Sequence, residues 1–131
     1  MEFHWKKDVL MYIIFGCDEI GNALARNLSK AGDETLIIDN SETVFVGLKE
    51  PNLRTIITNI HTLDFSSLPI KDTIAFILLQ KTSQDNLMIA NRIKKLFPDK
   101  FVLSRATDEI EAAKLLENGV DRTVQIARIV T

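Results

Sequence analysis

Short, uninterrupted apolar runs separated by longer amphipathic stretches constrain this chain more than any other feature. Tyr12-Ile13-Ile14-Phe15, Thr35-Leu36-Ile37-Ile38, Thr55-Ile56-Ile57, Ile74 to Leu79 and Phe101-Val102-Leu103 are apolar without alternation. A strand that shows one face to water alternates polar with apolar residues, so these runs read as strands covered on both faces. Between them lie helical spacings. Ile20, Ala23, Leu24, Asn27, Leu28 and Ala31 mark the inner face of a first helix, which Gly32 stops. Val44, Phe45 and Leu48 mark a short second helix before Pro51. Leu87, Ala90, Ile93 and Phe97 line a further helix, capped from Ser83, Asp85 and Asn86. Asp108 and Glu111 have capping-box spacing ahead of a last helix that ends at Gly119. Asn59 to Asp72 reads as loop with room for one helical turn, and Thr123-Val124 as a short sixth strand.

Strands joined by helices must be parallel, and their crossovers right-handed. The expectation is a doubly wound, three-layer α/β/α sheet of the Rossmann-like type, ordered 3-2-1-4-5-6, over residues 11–125. Residues 1–10 form an N-terminal extension, in which Trp5-Lys6-Lys7 is a docking or linker segment. Residues 126–131 read as the first turn of an element that continues in a longer chain, or as a linker. Such sheets bind ligands at the carboxyl ends of strands where the order reverses, here between the first and fourth. Gly16, Asp39, Gln80 to Thr82 and Arg105 all follow strand ends and should face that crevice.

Net charge, −2 over 131 residues, gives no reason to expect nucleic acid or an anionic membrane as partner. No apolar run approaches the length of a membrane span, so no direct membrane insertion is expected. Cys17 is the one cysteine, which fits a reducing, cytoplasmic setting. His4 and His61 lack partners at metal-ligand spacing.

The motif with chemistry in it is Gly16-Cys17-Asp18-Glu19-Ile20-Gly21, between a strand and a helix, with Asp39 placed 18 residues beyond Gly21. This is the position of the dinucleotide fingerprint, whose glycines let a pyrophosphate reach the backbone at a helix N-terminus. Here the middle glycine is Asp18. A carboxylate there fills the space and repels phosphate, and Glu19 adds a second charge. Both acids also suit a helix N-terminus as caps; an altered nucleotide site and a cation site are the other readings. Asp39 either accepts from ribose hydroxyls or caps the second helix, together with Asn40 and Ser41. Arg105 either reaches a phosphate or pairs with Asp108, Glu109 or Glu111. Thr82 and Asn86 offer polar contacts or caps. A helix N-terminus lowers the pKa of a thiol, but the acids beside Cys17 oppose that, which argues against a redox sensor.

Together these residues resemble the N-terminal regulatory domain of potassium-transport proteins, called TrkA-N, RCK or KTN. The resemblance rests on Tyr12 to Gly16, Ile37-Ile38-Asp39, Asp85-Asn86-Leu87, Ser104-Arg105-Ala106 and Leu115 to Asp121, the last similar to an "LLxxGAD" segment. It implies a Rossmann fold, NAD(H) or an adenine nucleotide in the crevice, and a homodimer or higher oligomer. It also implies control of an attached or partner potassium channel or transporter. Carried onto this chain, the ligand shell is Gly16, Gly21, Asp39, Asn59, Thr82 and Arg105, with Asp18 in the fingerprint. Departures are Asp18, Glu19 and Thr58-Asn59, and some calcium-gated members also lack the glycine fingerprint. The same domain precedes DHH-type phosphoesterases described as exopolyphosphatase-related, and a degenerate domain kept for dimerisation is a further alternative. A free-standing oxidoreductase is disfavoured, because no Tyr/Lys or His/Asp pair is placed to move a proton beside a nicotinamide. The domain itself is therefore expected not to be an enzyme.

Overall fold

A computed structural model describes residues 9–41 and 50–125. The second helix expected around Val44 to Leu48, the Trp5-Lys6-Lys7 segment and the tail 126–131 lie outside them. Six parallel strands form one sheet in the order β3-β2-β1-β4-β5-β6. They are β1 (Met11–Phe15), β2 (Glu34–Asp39), β3 (Leu53–Ile57), β4 (Thr73–Leu78), β5 (Phe101–Ala106) and β6 (Arg122–Gln125). Three helices connect them among the described residues: α1 (Glu19–Lys30), α2 (Ser83–Leu96) and α3 (Glu109–Glu117). Two 3-10 turns, Phe65–Ser67 and Ile70–Asp72, lie in the stretch read as loop.

The apolar runs are buried because both faces of the sheet are covered. Ile13, Ile14, Phe15, Leu36, Ile37 and Ile38 have no exposed surface. Successive side chains point to opposite faces. Ile13, Phe15, Phe76 and Leu78 pack against Ile89, Ala90 and Ile93 of α2 and Leu115 of α3. Ile14, Ile37 and Ile77 pack against Ala25 of α1, with Leu24 and Leu28 beside it. Right-handed crossovers that leave the sheet centre in opposite directions must put their helices on opposite faces, which is why α1 stands apart from α2 and α3.

Two expected helix faces are corrected. In α1 the buried residues are Gly21, Ala25 and Ser29. Ile20 is 37% exposed, and Ala23, Asn27 and Ala31 face solvent. The sheet-facing stripe is chosen for small size, because this helix lies close on the strands. In α2, Asn86 and Ile89 join Ala90 and Ile93 in the interior, while Phe97 lies past the last turn and is 39% exposed. The cap of α2 is Thr82, in line with one of its two readings, and not Ser83, Asp85 or Asn86.

The carboxyl half of the sheet is pinned by a side-chain network. Gly119 turns the chain with φ +99 and buried Val120 comes next. Asp121 Oδ2 then accepts from the Val102 N–H at 2.7 Å and from Lys94 Nζ at 2.8 Å. The segment Leu115 to Asp121 thereby ties α3, β5 and the end of α2 together.

Candidate functional site

The turn from β1 to α1 is held against the turn leaving β4. Gly16 has φ +108, and a Cβ there would lie 2.7 Å from the Leu79 carbonyl oxygen. A Cβ on Gly21 would lie 2.2 Å from the Gly16 carbonyl oxygen. Both glycines are therefore required by backbone packing alone, before any ligand is considered. The Leu79 N–H donates to the Phe15 carbonyl at 2.7 Å, and the Gly16 N–H to Ile38 at 2.8 Å, so the strand ends stay together into the turns.

Asp18 caps α1. Its Oδ1 accepts from the N–H groups of Ile20 at 3.1 Å and Gly21 at 3.0 Å. Its Oδ2 accepts from Arg105 Nη1 at 2.8 Å. The guanidinium comes from β5 across the switch point. It does not pair with Asp108, Glu109 or Glu111 as local spacing suggested. Two of those acids are engaged elsewhere: Asp108 accepts from the Glu111 N–H at 2.8 Å, and the Glu111 carboxylate accepts from the Thr107 N–H and hydroxyl. Glu19 is exposed in the first turn of α1.

Asp39 ends β2 and joins it to the same turn. Its Oδ2 accepts from the Cys17 N–H at 2.7 Å and its Oδ1 from the Ser41 N–H at 3.1 Å. Each carboxylate oxygen can accept a second bond, so capacity for a ligand hydroxyl remains. Cys17 is buried between these acids. Burial first, then the charges of Asp39 and Asp18, push its thiol up to about 11. Its side chain packs with Ile14, Ala25 and Ile37, and a raised thiol pKa disfavours the thiolate form.

On the other side, buried Asn86 closes the β4–α2 turn. Its Oδ1 accepts from the Gln80 N–H at 3.0 Å and its amide donates to the Gln80 carbonyl at 3.2 Å. Thr82 accepts from the Asp85 N–H at 3.2 Å and caps α2. Asn59 lies on the exposed loop after β3 and accepts from the His61 N–H at 2.9 Å. That loop approaches α2 through His61 Nε2, which is 3.4 Å from Asp85 Oδ1.

Between the turns lies an open cleft of about 390 Å³. Gly16, Cys17, Asp18, Asp39, Leu79, Gln80, Lys81 and Asp85 line it, with Asn40 and Ser41 at its edge. Of the sequence-predicted residues, Gly16, Asp18 and Asp39 thus meet at one place. Arg105 reaches it through Asp18, Gly21 supports the turn from beneath, and Asn59 and Thr82 are not in the lining. Gln80 and Lys81, expected to face the crevice because they follow the fourth strand, do line it, whereas Asp85 reads from the sequence only as a cap of α2. The lining carries three carboxylates against one ammonium. Among the described residues no group of three or more His, Cys, Asp or Glu is arranged to hold a metal ion.

Residues 12–126 match the TrkA-N domain. The chain is 28% identical over 116 residues to potassium channel protein 1 of Methanocaldococcus jannaschii, covering 86% of this chain and 35% of that protein. It therefore spans about a third of that relative's length. The fold is similar to the NAD(P)-binding domain of an exopolyphosphatase-related protein from Archaeoglobus fulgidus, with a TM-score of 0.78 and 22% identity over 89% of this chain and 88% of that one. It is also similar to part of the GsuK channel bound to NAD, with a TM-score of 0.77 and 16% identity, over 94% of this chain and 23% of that one.

Proposed function

The chain belongs to the TrkA-N domain family, and on that premise we propose that it is a regulatory ligand-sensing module, not a catalyst, whose cleft takes an adenine nucleotide or NAD(H). The observation that carries this reading is the convergence of Gly16, Asp18, Asp39 and Gln80 on one cleft at the reversal of strand order. A ligand there touches the ends of β1 and β2 and the turn after β4 at once, so its binding biases how these elements sit. An effector responds if its own arrangement depends on them; ligand and effector are then coupled through a shift in population. The effector we propose is a potassium channel or transporter, acting on paired copies of this domain, supported by the relation to potassium channel protein 1. A fused phosphoesterase is the second reading, supported by the fold shared with the exopolyphosphatase-related domain.

A thermal-shift screen with NAD, NADH, ATP, ADP, AMP and adenosine tests the cleft. A ligand that binds only the folded state raises the melting temperature, by about 2.7 kcal/mol of added stability at a hundredfold excess over its Kd. A rise with at least one adenine ligand, lost in Asp39→Ala, supports the reading. No rise with any of them refutes it and leaves a dimerisation role.

A further inference from the structure

Three donors converge on the Asp18 carboxylate: the N–H groups of Ile20 and Gly21 and the guanidinium of Arg105. Two backbone donors at a helix N-terminus plus a guanidinium are the set that would bind a phosphate group. In this chain the set is already filled, by an anion that the chain itself supplies. The two N–H groups are used, the positive end of α1 is neutralised, and the Arg105 charge is spent on Asp18. The ion pair is drawn from opposite halves of the sheet, 87 residues apart, and both side chains are mostly shielded, with 21% and 29% exposure. What remains open is the ribose side of the cleft, where Asp39 keeps acceptor capacity beside Asn40 and Ser41.

We infer that the Asp18–Arg105 pair is a built-in phosphate surrogate that sets ligand specificity, so that the cleft prefers adenine ligands in inverse order of their phosphate content. This rests on the proposed function, in which the cleft takes an adenine ligand, here held by its ribose. Adenosine meets Asp39 without displacing anything. AMP brings one phosphate toward Asp18, Asp39 and Asp85, with Lys81 as the lining cation. ADP and NAD need the place that the Asp18 carboxylate holds, and must either displace it from Arg105 or sit against it. Like charge at contact distance in a partly shielded site weakens binding by about tenfold or more.

Calorimetric titration of adenosine, AMP, ADP and NAD into the wild type, Asp18→Gly and Asp18→Asn tests this. Asp18→Gly frees the two N–H groups and Arg105 together. Asp18→Asn keeps an oxygen to cap α1, and so keeps the fold, while removing the charge. The wild type is expected to bind adenosine most tightly and ADP and NAD least. Asp18→Gly should tighten ADP and NAD by about tenfold, a larger factor than for adenosine, with Asp18→Asn between the two. A wild type that binds ADP or NAD more tightly than adenosine, or a loss of their binding in Asp18→Gly, overturns the inference while the cleft reading stands. Absence of binding by all four ligands to all three proteins overturns both.

Discussion

Asp18 and Asp108 occupy the same position on two helices, yet they do different things. Each is the N-cap residue, of α1 and α3 respectively, in extended backbone conformation, and each accepts from the N–H three residues on. Asp108 is exposed and bonds only within its own helix. Asp18 also holds Arg105 from β5. The third helical position differs in the same sense. In α3 it is Glu111, which reaches back to Thr107; in α1 it is Gly21, where the Gly16 carbonyl leaves no room for a side chain. A helix start that needs only a cap uses long, solvated polar groups. A helix start packed into the switch point gives up the side chain and recruits its partner from across the sheet.

The largest effect should come from adding a single carbon at that third position. Gly21→Ala places a methyl group 2.2 Å from the Gly16 carbonyl oxygen, within backbone that Leu79 already confines. Either the β1–α1 turn or α1 itself must shift. Overpacking of this kind costs about 1–3 kcal/mol, and we expect the upper end because the obstructing atom is main chain. The change at the matched position of α3, Glu111→Ala, should cost less, since it removes a solvated contact to Thr107 and places no atom against main chain. Urea unfolding of the two variants reads the difference directly. Equal losses would show that the tight contact relaxes cheaply, and that Gly21 is not required by packing.

A smaller contrast is expected between the caps themselves. Asp108→Ala should cost about 1 kcal/mol, the usual value of an N-cap. Asp18→Ala removes the same kind of cap and leaves the mostly shielded Arg105 guanidinium without its carboxylate, so about 2 kcal/mol is expected. Pairing Asp18→Ala with Arg105→Gln should recover part of that loss, because the stranded charge goes with it. Strict additivity in this cycle would mean that the pair contributes nothing beyond the cap.

The same contrast explains what could be read from the sequence. The strands were legible because a strand buried on both faces is apolar throughout, and the β-α alternation with a fingerprint turn after the first strand pointed to the Rossmann-like order. Gly16, Asp18 and Asp39 were legible as a cluster because strand ends at the switch point must converge. The inner face of α1 was legible only in Leu24 and Leu28, since hydrophobicity also picks out Ile20 and Ala23, whereas close packing selects Gly21, Ala25 and Ser29 by volume. The partner of Arg105 was not legible. Sequence proximity offers three acids just downstream, but α3 and Thr107 engage two of them, and the carboxylate that faces the guanidinium comes from the other end of the chain. The pairing of Lys94 with Asp121 was hidden in the same way. Contacts across a sheet leave no periodic trace.

The smallest effect, and the one that isolates α3 as an ordinary helix start, concerns Glu111. The hydroxyl and N–H of Thr107 both donate to its carboxylate and hold it below the usual value of 4.5, with a further contribution from Ser83. A carboxylate whose folded-state pKa is depressed adds stability that is fully present above its unfolded pKa. That contribution is lost as the pH falls through the lower, folded-state value. The loss should therefore begin near pH 4.5 and be complete only below it. Thr107→Val removes the hydroxyl, the larger cause, and leaves the backbone donor. The Glu111 midpoint, tracked by carboxyl chemical shift, should then move back toward 4.5 without reaching it. The same substitution should leave the affinity for adenosine unchanged, because Thr107 and Glu111 belong to the α3 cap and not to the Asp18 turn. A Thr107→Val variant with altered ligand binding would show that the two helix starts communicate, and that the division drawn between a solvated cap and a site is too sharp.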